Sequence, residues 1–180
     1  MPRRGLDPAP RSGALCAAIR STATGVPMPS CVPFDQLEPG QTASLGKTIT
    51  EADILLFSAV SMDTNPVHLN QELADETLFK GRVAHGMLCG SLISAVLGTV
   101  LPGLGTIYLT QSMRFRAPVR IGDTVTAEVE VASLDHEKKR ATMRTRCFVR
   151  GKVVIEGEAV VIPPTEAVVA VAQNEKRAAE

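Results

Sequence analysis

Asp63 and His68 are the two side chains whose types and spacing best suit chemistry, because they flank the dipeptide Asn65-Pro66. Proline fixes its own backbone and pushes the preceding residue toward extended geometry, so we expect a rigid loop here. Such a loop could point a carboxylate and an imidazole into one space, where they suit general acid–base work on a water molecule. By spacing alone the indication is weak, because most such residues in loops make turns or cap helices.

A second candidate for chemistry is the run Ala84-His85-Gly86-Met87, which stands at the start of a predicted helix. Free amides at a helix N-terminus favour negative charge, and glycine lets a ligand approach the backbone closely. An amide at Gly86 could therefore serve as an oxyanion hole for a thioester carbonyl. The plainer interpretation is that Gly86 relieves packing and His85 caps the helix, and for this run alone it is the stronger one.

The helix behind these residues is predicted from an uncharged stretch, Val83 to Leu101, in a chain where 21% of residues are charged. Its larger apolar residues recur at helical spacing on nearly every face, which predicts a helix wrapped by other structure. The stretch is long enough to span a membrane. Three glycines, three hydroxyl residues and a histidine oppose insertion, so we expect a buried helix and no membrane partner.

The elements before this helix are predicted from turn and cap signals. Thr42 to Ile49 is typical of a short strand. Thr50-Glu51-Ala52-Asp53 resembles a capping box that opens a helix ending near Ser61-Met62, and Asn70 is expected to cap a short helix reaching about Thr77. Together these elements bracket the loop that carries Asp63 and His68.

After Pro102 the chain has the alternating pattern of strands. Apolar and polar residues alternate over 112–117, 124–131 and 141–149, which is typical of an antiparallel sheet with one face in water. Such a sheet needs a cover and the apolar helix needs a wrapper, so we predict an α+β hot-dog fold, an antiparallel sheet around a long central helix. The exposed sheet edge that this fold leaves favours a homodimer.

The chain of 180 residues suits one domain, which we place at residues 34–164. Residues 1–33 are rich in Pro, Gly, Ser, Ala and Arg and are expected to form a disordered extension, and residues 165–180 a frayed tail. The extension is either plain or, given its arginines, a weak transit peptide. We therefore expect a cytoplasmic protein, with the mitochondrial matrix as the alternative.

Composition argues against several classes of partner. Lys+Arg and Asp+Glu are both 19, and one Tyr, five Phe and no Trp offer few stacking platforms, so nucleic-acid binding is not expected. The four cysteines, Cys16, Cys31, Cys89 and Cys147, show no paired spacing. This arrangement indicates reduced packing thiols rather than a disulfide framework or a zinc site.

Taken together, the motifs resemble a known family. In order they are Asp63-Thr64-Asn65-Pro66-Val67-His68, Ala84-His85-Gly86-Met87, Arg114-Phe115-Arg116-Ala117-Pro118-Val119 and Gly122-Asp123-Thr124-Val125. The chain resembles the MaoC-like dehydratases from about Leu37 to Pro163. The resemblance is closest to the (R)-specific enoyl-CoA hydratases of polyhydroxyalkanoate synthesis.

The resemblance implies a homodimer that hydrates trans-2-enoyl-CoA to (R)-3-hydroxyacyl-CoA and takes an acyl-CoA thioester as its partner, with no cofactor and no metal. Asp63 and His68 match the family's catalytic pair, and Gly86 matches the amide that binds the thioester oxygen. Four further residues are expected to bind substrate or support the site: Asn65, His85, Ser91 and Phe115. His136 matches nothing in the family and is expected in a solvated turn.

Three alternatives stay open. The nearest is a 3-hydroxyacyl-[acyl-carrier-protein] dehydratase, which runs the reverse reaction on a different carrier. A hot-dog thioesterase would direct water at the carbonyl carbon and does not require the Asn65-Pro66 continuation to His68. A non-catalytic acyl-CoA-binding protein would have no need of both Asp63 and His68.

Overall fold

One five-stranded sheet forms the frame of the computed structural model, which describes residues 30–165 and 168–170. The strands are β1 (Thr42–Thr48), β2 (Ile107–Phe115), β3 (Thr124–Asp135), β4 (Arg140–Val149) and β5 (Lys152–Ile162). Their order across the sheet is β1-β3-β4-β5-β2, and every neighbouring pair is antiparallel. Strands β3, β4 and β5 follow one another as a meander, while β1 and β2 occupy opposite edges.

Four α-helices and a 3₁₀ turn accompany the sheet within residues 30–165, and residues 168–170 are also helical. The turn is Phe34–Gln36, and the helices are α1 (Glu51–Ser61), α2 (Pro66–Leu69), α3 (Gln71–Glu76) and α4 (Gly86–Thr99). The predicted capping box of α1 is confirmed, because the Thr50 side chain accepts from the Asp53 amide and the Asp53 carboxylate accepts from the Thr50 amide. This backbone bond from Thr50 is the main cause that lowers the pKa of Asp53.

The hydrophobic core lies between α4 and the inner face of the sheet. Ile93, Val96 and Leu97 of α4 are buried, as are alternate residues of β3 and β4. The alternation predicted for 124–131 is confirmed, since Val125, Ala127, Val129 and Val131 point inward. Burying each valine, leucine or isoleucine side chain contributes about 1.5–3 kcal/mol, so this layer holds α4 on the sheet.

Two details of the predicted helix are corrected. It begins at Gly86 rather than Val83 and ends at Thr99, because the chain before Gly86 is extended and the Ala84 amide bonds the Val119 carbonyl at 2.7 Å. It is also not wrapped on every side within one chain. Met87, Ser91, Ser94 and Gly98, spaced three and four apart, form an exposed stripe along it.

The strand predicted over 112–117 overlaps β2, which is less buried than the inner strands. Ile107, Tyr108 and Leu109 are exposed, and so is Phe115, although its ring lies on the predicted inner face, against Gly86 of α4. The reason is its position: β2 is an edge strand that pairs with β5 and, within the described residues, with no other strand. An apolar edge strand left open in this way is a pairing surface.

The start of the described chain is attached to the end of α4. The Ser30 and Val32 amides bond the Thr99 and Pro102 carbonyls, each at 2.9 Å, and Cys31 forms a β-bridge with Gly103. Residues 30–33 therefore contact the domain, although the sequence placed them in the extension. Residues 1–29 and most of the predicted tail lie outside the described residues. In the described part of the chain, no helix is long and apolar enough to cross a membrane.

Candidate active site

The loop between α1 and α2 presents the Asp63 carboxylate. The side-chain oxygen of Asn65 caps α2 by accepting from the backbone N–H of Val67 at 3.2 Å. The backbone N–H of Asn65 donates to Asp63 Oδ1, also at 3.2 Å. Pro66 stands at the first helical position, where its missing N–H costs nothing. The predicted rigid loop thus continues into a short helix, and Asn65 orients the carboxylate without facing the pocket described below.

His68 lies on α2, and its ring is oriented by a backbone carbonyl. Its Nδ1 is 2.8 Å from the Val83 carbonyl oxygen, and because that oxygen only accepts, Nδ1 carries the proton and donates. The other nitrogen, Nε2, is left with a free lone pair 4.0 Å from Asp63 Oδ2. This separation is too long for a direct hydrogen bond and suits two groups that contact one water molecule.

His85 lies directly behind this pair and is only 1% exposed. Its Nε2 is 3.0 Å from the Asp63 carbonyl oxygen and 3.2 Å from Ser58 Oγ, and its ring centroid is 3.8 Å from that of His68. Burial is the main cause that lowers the pKa of His85. The capping role considered for His85 is not observed, because its side chain makes no cap hydrogen bond to α4.

Gly86 opens α4 beside these histidines. Its amide belongs to the first turn, whose N–H groups have no carbonyl partner within the helix. A Cβ at this position would stand 2.6 Å from the Phe115 ring, so any other residue here would have to displace that ring. The end of β2 and the start of α4 therefore meet at the place where a substrate carbonyl would approach the helix N-terminus.

These groups line one pocket of about 550 Å³. Its wall includes five of the predicted site residues, Asp63, His68, His85, Gly86 and Phe115. Leu78 and Phe115 are exposed at its mouth, whereas Cys89 and Ile155 are buried. Ser91 lies elsewhere, on the exposed stripe of α4, where its hydroxyl donates to the Leu88 carbonyl at 2.7 Å.

The sequence did not single out three groups that hold this site together. They are the Val83 carbonyl, the Ser58 hydroxyl and Arg82, whose Nε donates to the His68 carbonyl at 2.7 Å. Ser58 had a usable signal, since it is a polar residue on the buried side of α1 next to Ile54. The carbonyl had none, because a backbone atom's role depends on the chain's path.

One group of the described residues could offer three ligand atoms, all within 4.8 Å of one another, to a metal ion. It consists of Asp63, His68 and His85. The donor set suits zinc in its atom types. Binding through Nε2 of His85 would require that nitrogen to give up its proton and its bond to the Asp63 carbonyl. The expectation of no metal stays a prediction.

Comparison with known proteins identifies the family. The family model described as MaoC like domain matches residues 35–157, which is more than half of the chain. The chain belongs to the MaoC-like dehydratase family. This confirms the resemblance drawn from the motifs.

Relatives of this MaoC-like protein have consistent descriptions. The (R)-specific enoyl-CoA hydratase of Rhodospirillum rubrum is 62% identical over 131 residues, 73% of this chain and 91% of the relative. The (R)-specific enoyl-CoA hydratase of Aeromonas caviae is 49% identical over 71% of this chain and 96% of its own length. More distant is the mitochondrial 3-hydroxyacyl-[acyl-carrier-protein] dehydratase FERN of Solanum lycopersicum, 34% identical over 72% of this chain and 79% of the relative.

A solved structure supports the fold. The unliganded R-hydratase PhaJ1 of Pseudomonas aeruginosa superposes with a TM-score of 0.72 at 50% identity, covering 76% of this chain and 88% of the other. The predicted α+β hot-dog fold, with an antiparallel sheet packed on α4, is confirmed.

Proposed function

We propose that this MaoC-like protein is a hydro-lyase that adds water to trans-2-enoyl-CoA and forms (R)-3-hydroxyacyl-CoA, a reversible reaction. The observation that carries the proposal is the 4.0 Å gap between Asp63 Oδ2 and His68 Nε2, in a pocket whose wall also contains Gly86 at the start of α4. An acid–base pair for water and a helix N-terminus for a carbonyl oxygen are the two things that hydration of a conjugated thioester requires.

The geometry suggests how the pair handles water. The tautomer set by the Val83 carbonyl leaves Nε2 of His68 free to take a proton as the water oxygen bonds to C3. The Asp63 carboxylate accepts a hydrogen bond from the water's other O–H group, which stays intact, and so orients the molecule. The pair then returns a proton to C2, so that one H₂O adds across the double bond and both side chains regain their starting states. Because both groups lie on one side of the pocket, we expect a single stereoisomer.

Gly86 acts on the other end of the conjugated system. Attack at C3 moves negative charge toward the thioester oxygen, and an amide of the first turn of α4 can donate to that oxygen. The exposed ring of Phe115, which lies against Gly86, covers the approach to this amide. We propose that Phe115 contacts bound substrate there.

The reaction is tested by following the absorbance of the conjugated thioester of crotonyl-CoA, with free thiol measured in parallel. Hydration lowers the absorbance without releasing thiol, and a dehydrogenase specific for (R)-3-hydroxyacyl-CoA then oxidises the product. Release of thiol would identify a thioesterase instead. Binding without either change would identify a non-catalytic acyl-CoA-binding protein.

A second candidate, dehydration of 3-hydroxyacyl groups on acyl carrier protein, is favoured by the plant mitochondrial relatives at 34% identity. The bacterial relatives described as acting on CoA thioesters are 48–62% identical, which is why we propose CoA. Comparing kcat/KM for crotonyl-CoA and crotonyl-acyl carrier protein decides between them. A higher value for the protein-bound substrate would reverse the assignment.

We also propose that the working form is a homodimer. Supporting it are the open edge of β2, with Ile107, Tyr108 and Leu109 exposed, and the exposed stripe of α4. A second copy could pair at that edge and cover the stripe in a closed, two-fold arrangement. A cytoplasmic location, with the mitochondrial matrix as the alternative, stays a prediction.

Chain-length preference is expected to lean to short or medium acyl chains. Cys89 and Ile155, both buried, contribute to the pocket wall. Comparing crotonyl-CoA with dodecenoyl-CoA tests this expectation, and a strong preference for the longer chain would overturn it.

A further inference from the structure

We infer that His85 is a positioning residue for the hydration, and that it acts by donating from Nε2 to the backbone carbonyl of Asp63. The inference rests on the proposed function, since it assigns to a third residue the task of holding the acid–base pair. It goes beyond that function because His85 need not touch the substrate to perform this task.

The first support is that His85 contacts the pair at two points. Its Nε2 is 3.0 Å from the Asp63 carbonyl, and its ring lies 3.8 Å from the His68 ring, at an angle of 30°. On its other side the ring packs against Phe57 at 5.1 Å. His85 also directly precedes Gly86 in the chain. It is therefore linked to all three groups that the proposed reaction uses.

The second support is the set of donors and acceptors around the two nitrogens of the buried His85 ring. The Asp63 carbonyl can only accept, so Nε2 of His85 carries the proton. The Ser58 hydroxyl, 3.2 Å from the same nitrogen, shares this donor. Nδ1 is then a bare acceptor, and among the described residues it has no partner. A neutral ring with its proton on Nε2 is the state that these contacts select, and burial, which lowers the pKa of His85, keeps it neutral.

The two histidines are therefore expected to be opposite tautomers. His68 carries its proton on Nδ1, toward the Val83 carbonyl, whereas His85 carries its proton on Nε2, toward the Asp63 carbonyl. A neutral His85 avoids the repulsion that two positively charged rings would suffer at this separation. This arrangement leaves the Nε2 lone pair of His68 facing Asp63, where the proposed reaction needs it.

A positioning role and a plain packing role make different demands on position 85. Glutamine places an amide nitrogen at about the reach of the imidazole Nε2 and can donate to the Asp63 carbonyl. Phenylalanine keeps the ring volume against His68 and Phe57 and cannot donate. The pair His85→Gln and His85→Phe therefore separates the hydrogen bond from the packing.

The experiment measures kcat and KM for crotonyl-CoA hydration by the full-length chain and these two variants. We expect His85→Phe to lower kcat by about tenfold or more, since small misplacements of reacting groups cost up to about a hundredfold, with KM changed by less than about twofold. His85→Gln should retain kcat within about threefold of wild type, in keeping with a preserved hydrogen bond. His136→Gln, a change at the exposed hairpin histidine, is the matched control and should behave as wild type.

The tautomers are read separately by long-range proton–nitrogen NMR on the wild-type protein, so that the inference remains testable if a variant fails to fold. We expect His85 to be protonated at Nε2 and His68 at Nδ1 near neutral pH. Full kcat in His85→Phe, an equal loss in both variants, or a His85 protonated at Nδ1 would each overturn the inference. Wild type and Asp63→Asn serve as references: if wild type does not hydrate crotonyl-CoA, the proposed function fails, whereas a normal wild type with an unaffected His85→Phe defeats only the role of His85.

Discussion

Backbone carbonyls decide the chemistry of individual side chains in this site. The Val83 carbonyl orients His68 and the Asp63 carbonyl orients His85, each by accepting from one ring nitrogen. A carbonyl cannot donate, so each contact selects one tautomer. The reactive lone pair of His68 is therefore a consequence of where the chain places Val83, which is fifteen residues from His68 in the sequence but in contact with it in space.

The proposed roles of Asp63 and His68 predict large losses of turnover. General acid–base groups contribute about 10²–10⁴-fold, so Asp63→Asn and His68→Gln should each lower kcat by that order. Because both act on one water molecule, the double variant should be little worse than either single one. Steady-state hydration of crotonyl-CoA measures this.

Substitutions at Asp63 and His68 are expected to differ in their effect on the stability of the folded protein. Asp63 has a half-exposed side chain, and Asp63→Asn should leave the melting temperature near wild type, whereas His68→Gln loses its bond to Val83 and should cost about 1 kcal/mol. Near-full activity of His68→Gln in a folded protein would contradict its assignment as the base.

Burial of His85 predicts a pH dependence of stability. Its pKa is lowered in the folded protein, chiefly by burial and further by His68, while the Asp63 contacts oppose the shift. The unfolded chain therefore binds a proton more readily, so the stability from neutral His85 is complete above about pH 6.5 and is lost as pH falls below it. Melting temperatures from pH 7.5 to 5 should fall for wild type and fall less steeply for His85→Gln. An unchanged slope in that variant, with His136→Gln as the control, would contradict the prediction.

At the scale of elements, the start of α4 is the point on which the site converges. Gly86 meets the end of β2 through Phe115, and the loop before it meets α2 through the bond from His68 to Val83. The end of β2, the loop before α4 and helix α2 therefore meet at the N-terminus of α4. Its exposed amides are polar groups that a substrate oxygen can satisfy.

A methyl group at Gly86 should harm function more than folding. In Gly86→Ala the new Cβ would stand 2.6 Å from Phe115, whose ring is 54% exposed and can swing outward into the pocket mouth. We expect kcat/KM to fall by about tenfold or more, because the displaced ring and the methyl group crowd the approach to the amide.

Gly46→Ala is the matched control for this change, because Gly46 lies in β1 at the opposite edge of the sheet and the new Cβ would meet only the Thr126 side chain, at 3.9 Å. It should keep full activity and gain about 0.5–1 kcal/mol, because glycine within a strand loses more conformational freedom on folding than alanine. Equal loss of activity in both variants would remove the argument for Gly86 in particular.

The two edges of the sheet differ in the polarity of their exposed side chains. At one edge β1 carries exposed Ser44 and Thr48, while at the other β2 exposes Ile107, Tyr108 and Leu109 next to the open stripe of α4. Apolar groups at an open edge favour pairing with another chain, and polar groups do not. Dimerisation is therefore expected at β2.

Sedimentation velocity at assay concentration should show a dimer. Leu109→Arg places a charge on the β2 edge and should shift the protein toward monomer with loss of activity. Ser44→Arg, at the opposite edge, should remain a fully active dimer. A stable and fully active wild-type monomer would refute the proposal, and so would a dimer broken by the Ser44 variant alone.

The N-terminal region should divide into a dispensable part and an attached part. A chain that starts at Met28 keeps the bonds from Ser30 and Val32 to the end of α4, whereas one that starts at Phe34 loses them. We expect the first to match wild type in melting temperature and activity. The second should lose about 1–3 kcal/mol, from two or more backbone hydrogen bonds. Misfolding of the Met28 version would contradict the expected disorder of the extension.

Local patterns in the sequence determined the elements and the family of this protein. Three of these patterns act within a few residues of the chain, so the local backbone geometry follows from short-range interactions. They are the capping pair Thr50 and Asp53, the proline after Asn65, and the alternation over 124–131. The spacing of the motifs, from the loop at Asp63 to the strand at Phe115, was specific enough to identify the MaoC-like family, and with it the candidate acid–base pair.

Only the tertiary structure decided how those residues work together. It directed the His85 side chain behind Asp63 and His68 instead of into a cap hydrogen bond, and it left the Phe115 ring half exposed against Gly86 because β2 lies at a sheet edge. It also set the tautomer of His68 through the Val83 carbonyl, fifteen residues away. Each of these outcomes depends on a backbone atom or a strand order that side-chain patterns do not encode, because every peptide carries the same carbonyl and only the fold brings one of them to a given ring.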